Sequence, residues 1–194
     1  MTTEVQLFSY DQALGAAREV VSTIKPFCQR IEICGGIRRK KELVHDMDIV
    51  VQSNAIFELY VGMTRLEGIQ MPYPTPDKLT FNFSGIPGEL FFVHNEQQFE
   101  VMKLERTGDF QFTRTLAQNA ITKGMVFRFS KDKGCYKVPM YGLYKITGTW
   151  WAPDDDRSNR KQYLVGDMVN AVCYKEDEII ETIFNKQIPP ESRS

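Results

Sequence analysis

Apolar positions along this chain recur with two different periods, and the changes of period mark its elements. From Tyr10 to Ile24 the apolar residues Ala13, Ala16, Val20, Val21 and Ile24 fall at helical intervals, which predicts one amphipathic helix. Residues 30 to 52 read as a strand, a glycine turn at Gly35-Gly36, a basic loop and a second strand that opens with two aspartates. Residues 80 to 94 read as two strands joined at Gly85-Ile86-Pro87-Gly88, with Glu89 opening the second. A second helix is predicted with Thr107 or Asp109 as its N-cap and Gly124 as its C-cap, and Lys123 in the last turn. Its apolar stripe is Phe112, Leu116, Ala120 and Ile121.

The segment from 30 to 52 carries the chemistry. Side chains alternate along a strand, so Asp46 and Asp48 point the same way and can grip divalent cations together, while Met47 between them faces the core. Gly35 and Gly36 end the first strand where backbone must come close to something bulky. Arg38 and Arg39 put fixed positive charge beside that approach. Taken singly, an Asp-x-Asp, a Gly-Gly and a basic run are commonly solvated turns and loops. Together in one strand-loop-strand unit they describe a nucleotidyl-transfer site, because triphosphate plus metal satisfies all of them.

Gly35-Gly36-Ile37-Arg38-Arg39 followed by Asp46-Met47-Asp48 resembles the active-site motif of the DNA polymerase X family, within the nucleotidyltransferase superfamily. Many members carry Ser where this chain has Gly36, which leaves phosphate binding to backbone amides. The resemblance implies that Asp46 and Asp48 hold magnesium ions, with manganese as a substitute, and that a third carboxylate completes the catalytic set by positioning and activating the attacking 3′-hydroxyl. Glu89 is placed as the family's third aspartate is, at the family's spacing from Thr107-Gly108, and is one methylene longer. Glu100 competes for the role, and the alternative for Glu89 is an edge residue reaching solvent.

The same resemblance assigns Gly35, Gly36, Arg39 and His45 to the triphosphate, with Arg38 as a helper. It places the sugar of the incoming nucleotide at the turn of Arg106, Thr107, Gly108 and Asp109. Family members commonly have an aromatic pair ahead of Thr-Gly, where this chain has Glu105 and Arg106. Lys40, Lys41, Thr113, Arg114 and Ala117 are implied to face DNA. Further along, Met140 to Tyr144 resembles the family's Tyr-Gly-Leu strand, Lys175 to Phe184 its final helix, and Ile188 to Arg193 its Pro-Pro-Glu-x-Arg tail. Residues 146 to 170 have no counterpart; Trp150 and Trp151 within them read as core or as a base-stacking surface, and Asp154 to Asp156 as a turn with a helix N-cap.

The implied fold is α+β: a nucleotidyltransferase palm, a mixed β-sheet with flanking helices, over residues 1 to 105, and a small α/β thumb-like carboxy-terminal subdomain over 106 to 194. The stretch ahead of Gly35 is too short for the lyase and helix-hairpin-helix domains of larger members, so the likeness is to minimal viral forms. The expected partners of such a monomer are primer–template or gapped DNA and nucleoside triphosphates; the alternatives are transfer without a template or to RNA ends, protein or a small molecule, and a catalytically weak module that binds DNA ends.

Composition changes the picture in two respects. At 194 residues and 42% hydrophobic the chain can bury one good core or two small ones. Cys28, Cys34, Cys135 and Cys173 lack the spacing of a zinc site or a disulfide framework. With no apolar run of transmembrane length and no signal peptide, a membrane partner is excluded and the expected location is cytoplasmic, a host cytoplasm included. The net charge of −1 is awkward for a DNA binder. Local groups at Arg38 to Lys41, Arg128 to Lys137 and Arg157 to Lys161 could line a groove, with weak and strongly salt-sensitive binding as the consequence.

Overall fold

The computed structural model describes residues 6–72, 74–128, 142–151, 162–165 and 173–193, the side chains of 126–128, 142, 144–151 and 162–165 excepted. The fold is α+β. The chain divides into two compact units, Met1–Asp109 with Pro189–Ser194, and Phe110–Ile188. The resemblance places the division at 105/106 and the whole tail in the second part. Here Thr107 and Gly108 stay with the first unit because they end one of its helices, and the tail returns to it: the Asp109 N–H donates to the Arg193 carbonyl at 3.2 Å and Lys40 pairs with Glu191 at 3.6 Å.

In the first unit β1 (Phe8–Ser9) leads into α1 (Tyr10–Ile24), the helix its periodicity predicts. Ser9 and Gln12 form a capping box that satisfies two otherwise unpaired N–H groups. Next come β2 (Arg30–Ile33), the single helical turn α2 (Gly35–Arg38), β3 (Leu43–Val44), β4 (Met47–Gln52), α3 (Ile56–Met63), β5 (Lys78–Phe83), β6 (Ile86–Val93) and α4 (Glu96–Thr107). Four strands form a mixed sheet in the order β2-β4-β6-β5, in which β4 and β6 are parallel and the other pairs antiparallel.

Alternation along β4 sorts the two faces. Met47, Ile49 and Val51 join the main core with Ala13, Ala17 and Val20 of α1 and Leu59 and Met63 of α3. Val50 joins Phe91 and Val93 of β6 and Phe99 of α4 on the opposite face. Asp48, two residues before Val50, therefore lies on the α4 side.

Two local expectations are corrected. The β5–β6 turn is Ser84-Gly85, both with positive φ (55° and 78°), the two-residue geometry whose twist matches the strands it joins. Ile86, Pro87 and Gly88 are inside β6, paired with Phe83, Asn82 and Phe81, so Glu89 is the fourth residue of the strand and does not open it. A Cβ at Gly88 would collide with the Phe81 ring, which explains a glycine that composition alone reads as a turn. The second correction is that a helix precedes Thr107 and stops there. Asn95 caps α4 by accepting from Gln98 N–H at 2.9 Å, and Gly108 ends it in an extended conformation.

The second unit holds α5 (Phe110–Thr122), an antiparallel sheet β7-β8-β9 (Met125–Arg128, Gly142–Trp151, Gln162–Val165) and α6 (Glu176–Phe184). α5 buries Phe112, Leu116 and Ala120. Phe112 stacks on Phe184 with ring centroids 5.7 Å apart, and Lys123 donates to the Thr182 carbonyl and Asn185 at the end of α6. Met140, Tyr141, Asp154 to Asp156, Cys135, Lys131 to Lys137 and Arg157 to Lys161 lie outside the described residues, as do the side chains of Arg128, Trp150 and Trp151.

Candidate active site

Parallel pairing of β4 with β6 puts Asp48 directly opposite Glu89 in register, so both side chains leave the same face of the sheet. Asp46 stands one residue ahead of β4 and, with Asp48, lines a cleft of about 430 Å³. Gly35, Gly36, Arg39, Lys41, His45, Glu105, Arg106 and Gly108 also line it. The end of β2 is tied to β4 by the Cys34 N–H, which donates to the Asp48 carbonyl at 2.7 Å. Gly35 turns at φ 61°, and a Cβ there would collide with the Asp48 carboxylate. At Gly36 a Cβ would stand 2.8 Å from Val44. What comes close to the glycine turn is thus the protein's own aspartate and valine.

Burial pushes the Asp48 carboxyl up to about 7, and repulsion from Asp46 and Glu89 adds to it, against attraction from Arg106 and Arg39. Asp46 is pushed up for the same first reason, partly offset by His45. Removing a cation-free aspartate's proton here works against two neighbouring negative charges. Such a set attracts positive charge.

The positive side of the cleft is Arg39, Lys41 and Arg106. Arg39 donates through Nη1 to the Thr107 carbonyl, and burial holds its guanidinium below the ordinary arginine range. Arg106 lies 4.0 Å above the Phe91 ring and 3.4 Å from Glu105. Among the described residues four buried side-chain polar atoms have no protein partner, and three of them, Arg39 Nε, Arg106 Nε and Glu105 Oε2, belong to residues of this cleft. Unmet buried polar atoms are rare, and their concentration here marks a place suited to a polar ligand.

Several sequence-predicted residues stand elsewhere. Arg38 does not line the cleft; its Nη1 donates to the Thr107 hydroxyl at 2.7 Å and its Nε lies 3.7 Å from Glu32. Thr107 is fully buried and held at both oxygens by the two arginines, while Arg106 and Gly108 on either side of it reach the cleft wall. The charge of Asp109 acts on Arg39, and its backbone N–H binds the tail. Lys40 pairs with Glu191, and Lys41 lines the cleft. Thr113, Arg114 and Ala117 lie on α5 in the second unit, off the buried stripe. Glu100 is engaged by Arg30 at 2.5 Å and by Lys103 at 2.8 Å.

Glu89 is close to the aspartates in register but does not line the cleft wall; Lys78 holds its Oε1 at 2.5 Å. Among the described residues no three His, Cys, Asp or Glu side chains are gathered to hold a metal ion. Asp46 and Asp48 offer hard oxygen donors of the kind magnesium takes, and Lys78 engages Oε1 of the carboxylate that would complete the set. Sequence reasoning missed Lys78, and Glu105 appears there only as a departure from the family's aromatic pair. Lys78 had no local signal, since only cross-strand register brings it to Glu89. Among the described residues no helix is long and apolar enough to cross a membrane.

No protein-family model matches the chain, and no curated protein matches it.

Proposed function

We propose that this protein is a metal-dependent nucleotidyltransferase that extends a DNA primer on a template, at 3′-ends or short gaps. One observation carries the reading: two mutually repelling aspartates, with a glutamate in register on the parallel strand, share a cleft with two arginines whose Nε atoms have no protein partner. Negative groups able to take divalent cations beside positive groups able to take phosphate suit a nucleoside triphosphate.

In this reading Asp46 and Asp48 would hold the divalent cations, and Arg39, with backbone amides at Gly36 and His45, would bind the phosphate oxygens. Bound magnesium supplies Lewis acidity at the reacting oxygens. Glu89 would complete the cation-binding set, orient the primer 3′-hydroxyl and accept its proton as that oxygen bonds the α-phosphorus. The bond from the α-phosphorus to the bridging oxygen breaks and pyrophosphate leaves. Arg106 and Gly108 border the sugar. Arg38 shapes the site by fixing Thr107 and touches no substrate.

The net charge of −1 and the Glu105-Arg106 pair favour a second reading, transfer without a template or to an acceptor other than DNA. Primer extension separates the two. Incubation with a labelled primer, alone or annealed to templates of different sequence, with magnesium and each dNTP, is expected to give additions that follow the template and vanish in Asp48→Ala. Addition independent of the template would move the assignment to the second reading, and product unaffected by Asp48→Ala would overturn both.

A further inference from the structure

Glu89 stands between two opposed neighbours. On one side β6 pairs with β4, which sets Glu89 opposite Asp48. On the other it pairs with β5, where Thr80 is directly opposite and Lys78, two residues away on the same face, reaches across to Glu89 Oε1 at 2.5 Å. The Lys78 backbone is anchored, since its N–H donates to Thr75 Oγ1 at 3.1 Å and its carbonyl accepts from the same hydroxyl at 2.9 Å. The side chains are not: they are 44% and 32% exposed, so either can swing away without opening the core.

An exposed lysine–glutamate pair of this kind is weak in itself. Its placement gives it another role, because the carboxylate it engages is the one that adds to the repulsion on Asp46 and Asp48. We propose that Lys78 is the internal counter-ion of the active site: it holds the third carboxylate away from the aspartates, and Glu89 joins Asp46 and Asp48 around a divalent cation only when Lys78 releases it. This rests on the reading of those three residues as metal ligands. Lys78 then sets how much cation the site needs. It is a positioning residue that acts through Glu89 and need not touch substrate.

The test uses the full chain, stripped of metal and free of DNA and nucleotide, so that its readout does not depend on turnover. Manganese is titrated into wild type, Lys78→Met, Glu89→Gln and the double variant, with affinity followed by calorimetry and free ion counted by electron paramagnetic resonance. Lys78→Met is expected to tighten binding at least fivefold in the wild-type background and to change it less than twofold when Glu89 is already Gln. Affinity within twofold of wild type in Lys78→Met overturns the proposal. So does equal tightening in both backgrounds, which would show a general charge effect. Lys78→Gln carries the same expectations should the Met variant fail to fold. Coupling without primer extension would sink the polymerase reading and leave the role of Lys78 standing; extension without coupling would do the reverse.

Discussion

Gly35 carries no side chain because the Asp48 carboxylate fills the space where one would stand. The two residues are on different elements, and their contact ties the turn after β2 to the start of β4. It also makes position 35 costly to change, since φ 61° is a left-handed conformation that any other residue adopts at a cost of about 1–2 kcal/mol.

Gly35→Ala is therefore expected to lower the melting temperature and weaken cation binding together. In an Asp48→Ala background, where the collision is relieved, the same substitution should cost only the backbone strain. The double-mutant cycle, read by chemical denaturation, checks this; equal costs in the two backgrounds would contradict the contact.

Asp46→Asn and Asp48→Ala should each abolish nucleotide addition, because on the proposed reading each removes a cation ligand; Asp46→Asn, isosteric and on the cleft wall, should leave the fold intact. Activity within tenfold of wild type in a steady-state extension assay would end the reading of Asp46 and Asp48 as cation ligands. Glu89→Asp, by contrast, should retain activity, and chelation of divalent ions should remove it in every variant.

The raised carboxyl of Asp48 predicts how stability depends on pH. With a folded value of about 7 and an unfolded value of about 3.9, the folded state holds a proton that the unfolded chain has released over that window. The metal-free protein should thus be at full benefit below about pH 4 and lose it as pH rises through 7, at no more than about 1.4 kcal/mol per pH unit from this group. Asp46, Glu89, Arg39 and Arg106 face the same carboxyl, so Asp48→Asn is the control. It should flatten the melting profile between pH 5.5 and 8 and exceed wild type in stability at pH 8. An unchanged slope would remove Asp48 as its source.

The two adjacent arginines should behave differently. Arg39→Ala is expected to raise KM for the nucleotide by an amount on the order of 1.5–3 kcal/mol, that of a charge-assisted hydrogen bond. Arg38→Ala loses Thr107 and Glu32 and should lower stability with KM little changed. Matched kinetics and denaturation of the two variants decide it, and an unchanged KM in Arg39→Ala would place that residue outside the triphosphate site.

Sugar selection is the last prediction. Arg106 lines the cleft two residues before Gly108 and lies over the Phe91 ring, and an aromatic side chain at 106 would crowd a ribose 2′-hydroxyl more than a guanidinium does. Single-nucleotide incorporation should show modest preference for dNTP over rNTP in wild type and a larger one in Arg106→Phe. A high wild-type preference untouched by the substitution would mean that side chains here do not set it.

Local pattern was enough for part of this protein. The Tyr10–Ile24 helix follows from its own periodicity, and the strand that buries Met47 while turning Asp48 to the other face follows from alternation. The Gly-Gly turn, the arginines and the aspartates could be grouped because all lie within one short run of chain. Tertiary structure alone decided which groups meet across elements. Asp48 faces Glu89 because β4 and β6 pair in parallel with a helix and a strand between them in sequence, and Lys78 reaches Glu89 because the Ser84-Gly85 turn sets the hairpin register. A shift of one residue in either pairing would send these side chains to opposite faces. Likewise Arg38 and Arg39 are adjacent and alike in sequence, yet one grips the buried Thr107 hydroxyl and the other borders the cleft, a division set by where α4 ends. A strand's own pattern tells which face a residue takes; the partner across from it is chosen by register and by the core that fixes register.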